Sequence, residues 1–198
     1  MRLRATFALA LAVLLAACVT APKRPIAQLP WPERRTRLQA LDPYELSGRV
    51  AVAAGRDGFS AHLTWKQDGA RSTLELSGFL GLGGMHVVAE GKTLDVQTSK
   101  GKRLASSEAR AELEDKLGFE PPLGSLRYWL LGVPDPGSPA VETVGTDQRL
   151  SGLVQDGWQV EYPAYLEAGG FSLPRRLTLR HGDVRLKLVV DRWQPRTG

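Results

Sequence analysis

Few residues in this chain can do covalent chemistry, and one stands apart. Cys18 is the only cysteine among 198 residues. It closes the run Leu15-Ala16-Ala17-Cys18, behind an apolar stretch from Ala5 to Ala17 in which Thr6 is the one polar residue. A lone thiol can form no disulfide within its chain, so the fold must hold by packing. His62, His86 and His181 are far apart, and no His-x-x-x-His pair offers a metal two ligands on one helix face. There is no Gly-x-Ser-x-Gly elbow, no Gly-x-x-x-x-Gly-Lys phosphate loop and no Gly-x-Gly-x-x-Gly fingerprint. Carboxylates are plentiful, but nothing in their spacing pairs them across a cleft. The expectation is a protein that is not an enzyme, with no cofactor and no metal. The remaining chemistry is modification of Cys18 itself.

Its surroundings say which modification. Arg2 and Arg4 precede the apolar stretch, which is shorter than the ~20 residues a helix needs to cross a bilayer. A basic start, a short apolar core and small residues before a break make a secretory signal. The Leu-Ala-Ala-Cys ending resembles the lipobox of bacterial lipoproteins. That resemblance implies that the Cys18 sulfur receives a diacylglycerol, that residues 1–17 are removed, and that the new amino terminus is acylated. An ordinary signal with an incidental cysteine is the alternative.

The elements follow from hydrophobic period. Residues 18–30 are Pro-rich without periodicity and read as a lipidated start and flexible tether, leaving 31–198 as one domain. Trp31 to Leu41 reads as a helix, with Trp31, Leu38 and Leu41 on one stripe and Glu33, Arg34, Arg35 and Arg37 solvated. A period of two then predicts strands over Tyr44 to Val52, Phe59 to Lys66, around Leu74 and Leu76, over Val87 to Ala89 and Leu94 to Val96, and over Lys102 to Leu104. A helix follows, capped by Ser106 or Ser107, with Ala109, Leu113 and Leu117 on one side and Gly118 stopping it. A second runs from about Pro122 to Leu131. Strands over Leu150 to Gln155, Gly157 to Pro163, Arg175 to Arg180 and Val184 to Trp193 close the chain. Roughly ten strands and about three helices predict a mainly β, α+β fold: a large curved antiparallel sheet with helices packed on one face.

Charge bounds the partners. Lys and Arg number 26 against 21 Asp and Glu, a net +5 that falls when Arg2 and Arg4 leave with the signal. Such a mixed excess fits weak attraction to anionic headgroups or an acidic partner. No basic stripe with interleaved aromatics points to nucleic acid.

One connection breaks the usual rule that loops are polar. Gly78-Phe79-Leu80-Gly81-Leu82-Gly83-Gly84-Met85 joins two strands yet is apolar and glycine-rich. It reads either as a loop folded onto the core or as a protruding tip, with Phe79, Leu80 and Leu82 touching a membrane or an acyl chain.

Taken in order, several stretches resemble the LolB family of outer-membrane lipoprotein receptors. They are the lipobox Cys18, the strand Ala61-His62-Leu63-Thr64-Trp65-Lys66-Gln67, the loop Phe79-Leu80-Gly81, and Pro122-Leu123-Gly124-Ser125-Leu126-Arg127-Tyr128-Trp129-Leu130-Leu131-Gly132-Val133-Pro134. Arg185-Leu186-Lys187-Leu188 with Asp191 and Trp193 complete the set. The resemblance implies an incomplete antiparallel β-barrel closed by helices over a hydrophobic cavity. It implies a monomer, lipid-anchored in the outer membrane and facing the periplasm, that accepts lipoprotein cargo from the soluble carrier LolA and inserts it into the bilayer. On the family's pattern Leu80 is the exposed leucine of the release step; Phe79 and Leu82 make this tip greasier. Val19 stands where a retained lipoprotein would carry aspartate, which implies outer-membrane sorting.

The apolar strand and helix faces supply candidates for an acyl-chain cavity: Val50, Val52, Leu63, Trp65, Leu74, Leu76, Leu126, Leu130, Trp158, Val160, Leu177, Leu179, Leu186 and Leu188. Each could equally be plain core. Two other readings are an envelope scaffold of the same anchor and sheet but no cavity, and a periplasmic hydrolase with a polar cleft.

Overall fold

A computed structural model describes residues 29–55, 57–78 and 84–196. Eleven strands form one antiparallel sheet: β1 (Tyr44–Ala54), β2 (Asp57–Asp68), β3 (Arg71–Ser77), β4 (Gly84–Glu90), β5 (Thr93–Thr98), β6 (Arg103–Ala105), β7 (Ala140–Val144), β8 (Leu150–Gln155), β9 (Trp158–Ala168), β10 (Phe171–His181) and β11 (Val184–Pro195). Their order is β6-β5-β4-β3-β2-β1-β11-β10-β9-β8-β7. Every neighbour is the next strand in sequence except at β1–β11, where the two ends of the chain pair in the middle of the sheet. The sheet curves but does not close, since β6 and β7 remain its edges.

Strict alternation sets which face is buried. On β1, Val50 and Val52 turn inward while Arg49 and Ala53 turn out. Their partners keep that parity, with Val50 opposite Leu188 and Val52 opposite Leu186 and Phe59. A one-residue slip would send this whole set to water, so the apolar pattern fixes the register.

Because all pairs are antiparallel, the connections sort to two ends. At the upper end lie the β1–β2 turn, the paired Ser77 and Gly84 at the facing ends of β3 and β4, and the β5–β6, β8–β9 and β10–β11 turns. At the lower end lie the β2–β3, β4–β5, β7–β8 and β9–β10 turns.

Among the described residues three helices pack on the concave side. Helix α1 (Trp31–Gln39) has Pro32 in its first turn, where a missing amide donor does no harm. It crosses the lower end: the Trp31 amide donates to Gln148 Oε1 in the β7–β8 turn, and Gln39 Nε2 donates to Pro134 O. Helix α2 (Ser106–Leu117) buries Ala109 and Leu113. It starts near the β4–β5 turn, where Arg110 Nη2 donates to Lys92 O, and ends at the upper end with Gly118 against Ala54. Gly118 adopts a left-handed φ of 78° and its amide reaches Glu114 O at 2.8 Å, the stop expected of a glycine there. Helix α3 (Leu123–Trp129) is shorter than the expected span, because Leu130 and Leu131 pass into a turn closed by Gly132.

Three local expectations are corrected. Neither Ser106 nor Ser107 caps α2: Ala105 holds the cap position, and it makes no side-chain cap bond. Arg34 is not solvated but 1% exposed, its Nη2 donating to Ser172 O at 2.6 Å. It sits three residues after Trp31 and four before Leu38, so it falls on the buried stripe and reaches a carbonyl at the lower end of β10. The eleventh strand, β7, was not expected. Its Val141 and Val144 face solvent, so it shows no inward apolar alternation; backbone pairing with β8 holds it, and Glu142 is gripped by Trp31 Nε1 at 2.7 Å and Arg35 at 2.6 Å.

Candidate apolar binding site

The concave face and the helices bound a partly open cavity of about 70 Å³. Its floor is cross-strand pairs: Leu63 opposite Leu76, Trp65 opposite Leu74, Leu74 opposite Val87, Val52 opposite Phe59, and Leu179 opposite Leu186. Val50 and Leu188 complete it. Its roof is Leu113 and Leu117 of α2, Phe119 and Pro121 of the α2–α3 connection, and Leu123, Leu126 and Leu130. Among the described residues no polar side chain lines it.

Of the residues singled out above, Val50, Val52, Leu63, Trp65, Leu74, Leu76, Leu126, Leu130, Leu179, Leu186 and Leu188 meet at this cavity. Trp158, Val160 and Leu177 also turn inward and are buried, but they pack the core beside the cavity rather than line it; the Trp158 ring lies 6.1 Å from that of Trp129. Cys18, Phe79, Leu80 and Leu82 lie outside the described residues. Phe119 was missed. It stands in Gly-Phe-Glu-Pro-Pro, a stretch that reads as a loop, yet its ring packs 5.8 Å from Trp158 and fills part of the roof.

The two halves of the roof are held very differently. α3 is pinned by buried polar bonds. Trp129 Nε1 donates to Gln155 Oε1 at 2.8 Å, which also accepts the Asp135 amide at 2.9 Å. Gln155 Nε2 donates to Asp135 O and to Ser138, so the buried amide is fully used. Tyr162 Oη donates to Trp129 O at 3.1 Å, and Tyr44 Oη to Arg127 O. Burial pushes the pKa of both phenols well above the ordinary tyrosine value, so they stay protonated donors.

The α2–α3 connection has no such network among the described residues. Gly118 ends one helix, and the Pro121–Pro122 pair prevents it from continuing into the next. Its polar fastening is the Arg110–Glu120 ion pair at 3.4 Å, in which both side chains are largely exposed. Exposed pairs of this kind contribute only ~0–1 kcal/mol. Behind the wall of Leu113, Pro121 and Leu123 lies a second recess of about 230 Å³, open to solvent and flanked by Arg110 and Glu120.

Among the described residues no three His, Cys, Asp or Glu side chains gather as a metal site, and no helix is long and apolar enough to cross a membrane.

An incomplete antiparallel barrel roofed by helices over an apolar-lined cavity is a class of architecture suited to holding apolar ligands. Comparison with known proteins places the chain within it. Residues 42–193 match the family model described as outer membrane lipoprotein LolB. The chain is 34% identical over 191 residues to the outer-membrane lipoprotein LolB of Stutzerimonas stutzeri, covering 94% of this chain and 93% of that one. It is 36% identical over 166 residues to that of Pseudomonas aeruginosa, covering 84% and 81%. This chain belongs to the LolB family of outer-membrane lipoprotein receptors, which are lipid-anchored in the outer membrane. Its fold is shared with a LolA superfamily protein of Nitrosomonas europaea, at a TM-score of 0.56 and 10% identity over 86% of this chain and 95% of that one. An outer membrane lipoprotein-sorting protein domain from Vibrio parahaemolyticus shows the same fold at 0.52 and 5% identity, covering 85% and 92%.

Proposed function

We propose that this protein receives acylated lipoproteins from a soluble periplasmic carrier of the LolA kind, holds their acyl chains in the cavity, and releases them into the outer membrane. The observation that carries the reading is a cavity whose described lining is apolar throughout. Each methylene exposed to water costs about 0.8 kcal/mol, so a tail must pass from one apolar site to another. Moving it between two such sites nearly cancels that term, and small affinity differences then set direction without nucleotide. In this reading residues 1–17 are removed, Cys18 carries the lipid, and 19–30 tether the domain.

The cavity volume adds a requirement. An apolar cavity of about 150 Å³ holds one benzene. At about 70 Å³ this one must widen before an acyl chain enters. In this reading the α2–α3 connection, fastened by one exposed ion pair, is the part of the roof that moves, and displacing it would join the cavity to the neighbouring recess with which it shares Leu113, Pro121 and Leu123. A scaffold without ligand would gain nothing from this interior.

A fluorescent fatty acid tests the reading. It should bind and be displaced by an acylated peptide, and Leu126→Asp should abolish binding. No binding by a folded protein would refute the cavity's role. The apolar tip is tested separately: Leu80→Asp should bind acyl chains normally but slow their release into vesicles.

A further inference from the structure

The convex face of the sheet, opposite the cavity, is not charge-balanced. Its outward residues form rows across β10, β11 and β1. Arg180 stands directly opposite Arg185, Thr178 opposite Lys187, and Arg176 opposite Val189, which is in turn opposite Arg49. Five cations thus occupy three adjacent rows. Two carboxylates answer them: Asp191 pairs with Arg49 at 3.3 Å and Glu161 with Arg180 at 2.5 Å. Among the described residues no carboxylate pairs with Arg176, Arg185 or Lys187, all on the outward side. Like charges directly opposite one another destabilise a sheet, so folding alone does not favour Arg180 facing Arg185. The residues between them are small or short: Ala51, Ala53, Gly58, Ser60 and Thr178. That leaves a broad surface on which the guanidinium and ammonium groups stand clear.

We infer that this face of β10, β11 and β1 seats on anionic phospholipid headgroups. The family's residence in the outer membrane keeps the domain within reach of such a surface. Lipid headgroups also match the site in chemistry: a wide, fluid array of phosphates that spread cations meet without a shaped pocket. The exposed Val141 and Val154, paired across β7 and β8 on the outward side of the row that holds Arg180, extend the face with apolar area suited to the headgroup boundary. Seated this way, the domain turns its helix-covered side toward the periplasm, from which cargo arrives. The inference rests on membrane residence and not on the acyl-chain reading.

The test uses the lipidated protein in vesicles, with Ser60→Cys, exposed on this face, carrying a fluorescent donor. Acceptor dye is placed on lipid headgroups. Transfer should be strong in vesicles containing phosphatidylglycerol, weak in phosphatidylcholine alone, and reduced by high salt. Each cation near an anionic surface is worth about a fivefold change, so Arg185→Gln with Lys187→Gln should lower the seated-to-free ratio about thirtyfold. Fatty-acid binding by the same double variant should be unchanged, which separates failure here from failure of the cavity reading. Equal transfer in the two lipids would overturn the inference, as would shielding of Ser60→Cys by a soluble acidic protein but not by vesicles.

Discussion

Phe119→Ala asks whether the roof of the cavity is wall or plug. Phe119 is half-buried, lines the cavity, and packs its ring 5.8 Å from Trp158. Truncating a fully buried Phe costs about 3–5 kcal/mol, of which an aromatic pair supplies about 0.5–1.5. Half-burial reduces this, so a loss of about 1.5–2.5 kcal/mol is expected, a fall in Tm of roughly 3–10 °C for a domain of this size. Binding should move the other way. A ligand that must first displace the ring pays the free energy of that displacement, and apparent affinity falls with the fraction of open molecules. Removing a plug worth about 1.4 kcal/mol should tighten fatty-acid binding about tenfold. Thermal melting and fluorescent fatty-acid titration on the same preparation measure both quantities. If stability falls and affinity falls with it, Phe119 is a contact wall for the ligand, and the picture of a roof opened at this residue is wrong.

Other perturbations separate the fixed part of the roof from the loose one. Gln155→Ala strips the shared acceptor from the Trp129 indole and the Asp135 amide, each costing about 1–3 kcal/mol when buried unpaired; calorimetry should show a loss of about 2–6 kcal/mol. Glu120→Gln breaks only an exposed pair and should shift stability by less than about 0.5 kcal/mol, while stopped-flow mixing shows faster fatty-acid entry. Arg34→Ala removes a buried charged donor from Ser172 O and should cost about 1.5–3 kcal/mol in urea unfolding. Tyr44 and Tyr162 hold their protons more tightly folded than unfolded, so their stabilisation is full below about pH 10 and declines as pH rises beyond it. Melting temperatures of Tyr162→Phe should therefore fall less steeply above that pH than those of the parent.

The period of two carried most of the fold, because alternation states which side of a strand is inward. Val50, Leu63 and Leu186 were legible for that reason. Alternation does not state what covers the inward side. Trp158, Val160 and Leu177 share the parity of the cavity residues but lie beside the cavity rather than on it, a difference made by helix placement and not by the strands. Phe119 was hidden because a short connection between helices has no period to read. Arg34 was hidden because its charge argued for solvent while its spacing argued for the core, where a backbone carbonyl accepts from it. β7 was invisible because an edge strand can be held by its neighbour's backbone with both valines in water.

The entry of the chain at the lower end has a mechanical consequence. Trp31 is fastened beside the β7–β8 turn, whereas the connection between Gly78 and Gly84 leaves from the upper end. The twelve residues of β2 span about 40 Å at the usual rise per residue. If Cys18 carries the lipid, the eleven steps from Cys18 to Leu29 reach at most about 36–40 Å when pulled straight. The leash is then about as long as the body it holds. Standing upright on its upper end would draw that leash taut, with little entropy left in it, whereas lying along the bilayer leaves it slack. Deleting four or five residues from 19–28 should forbid the upright stance while sparing the recumbent one, so leash length sorts the poses from which cargo can be released.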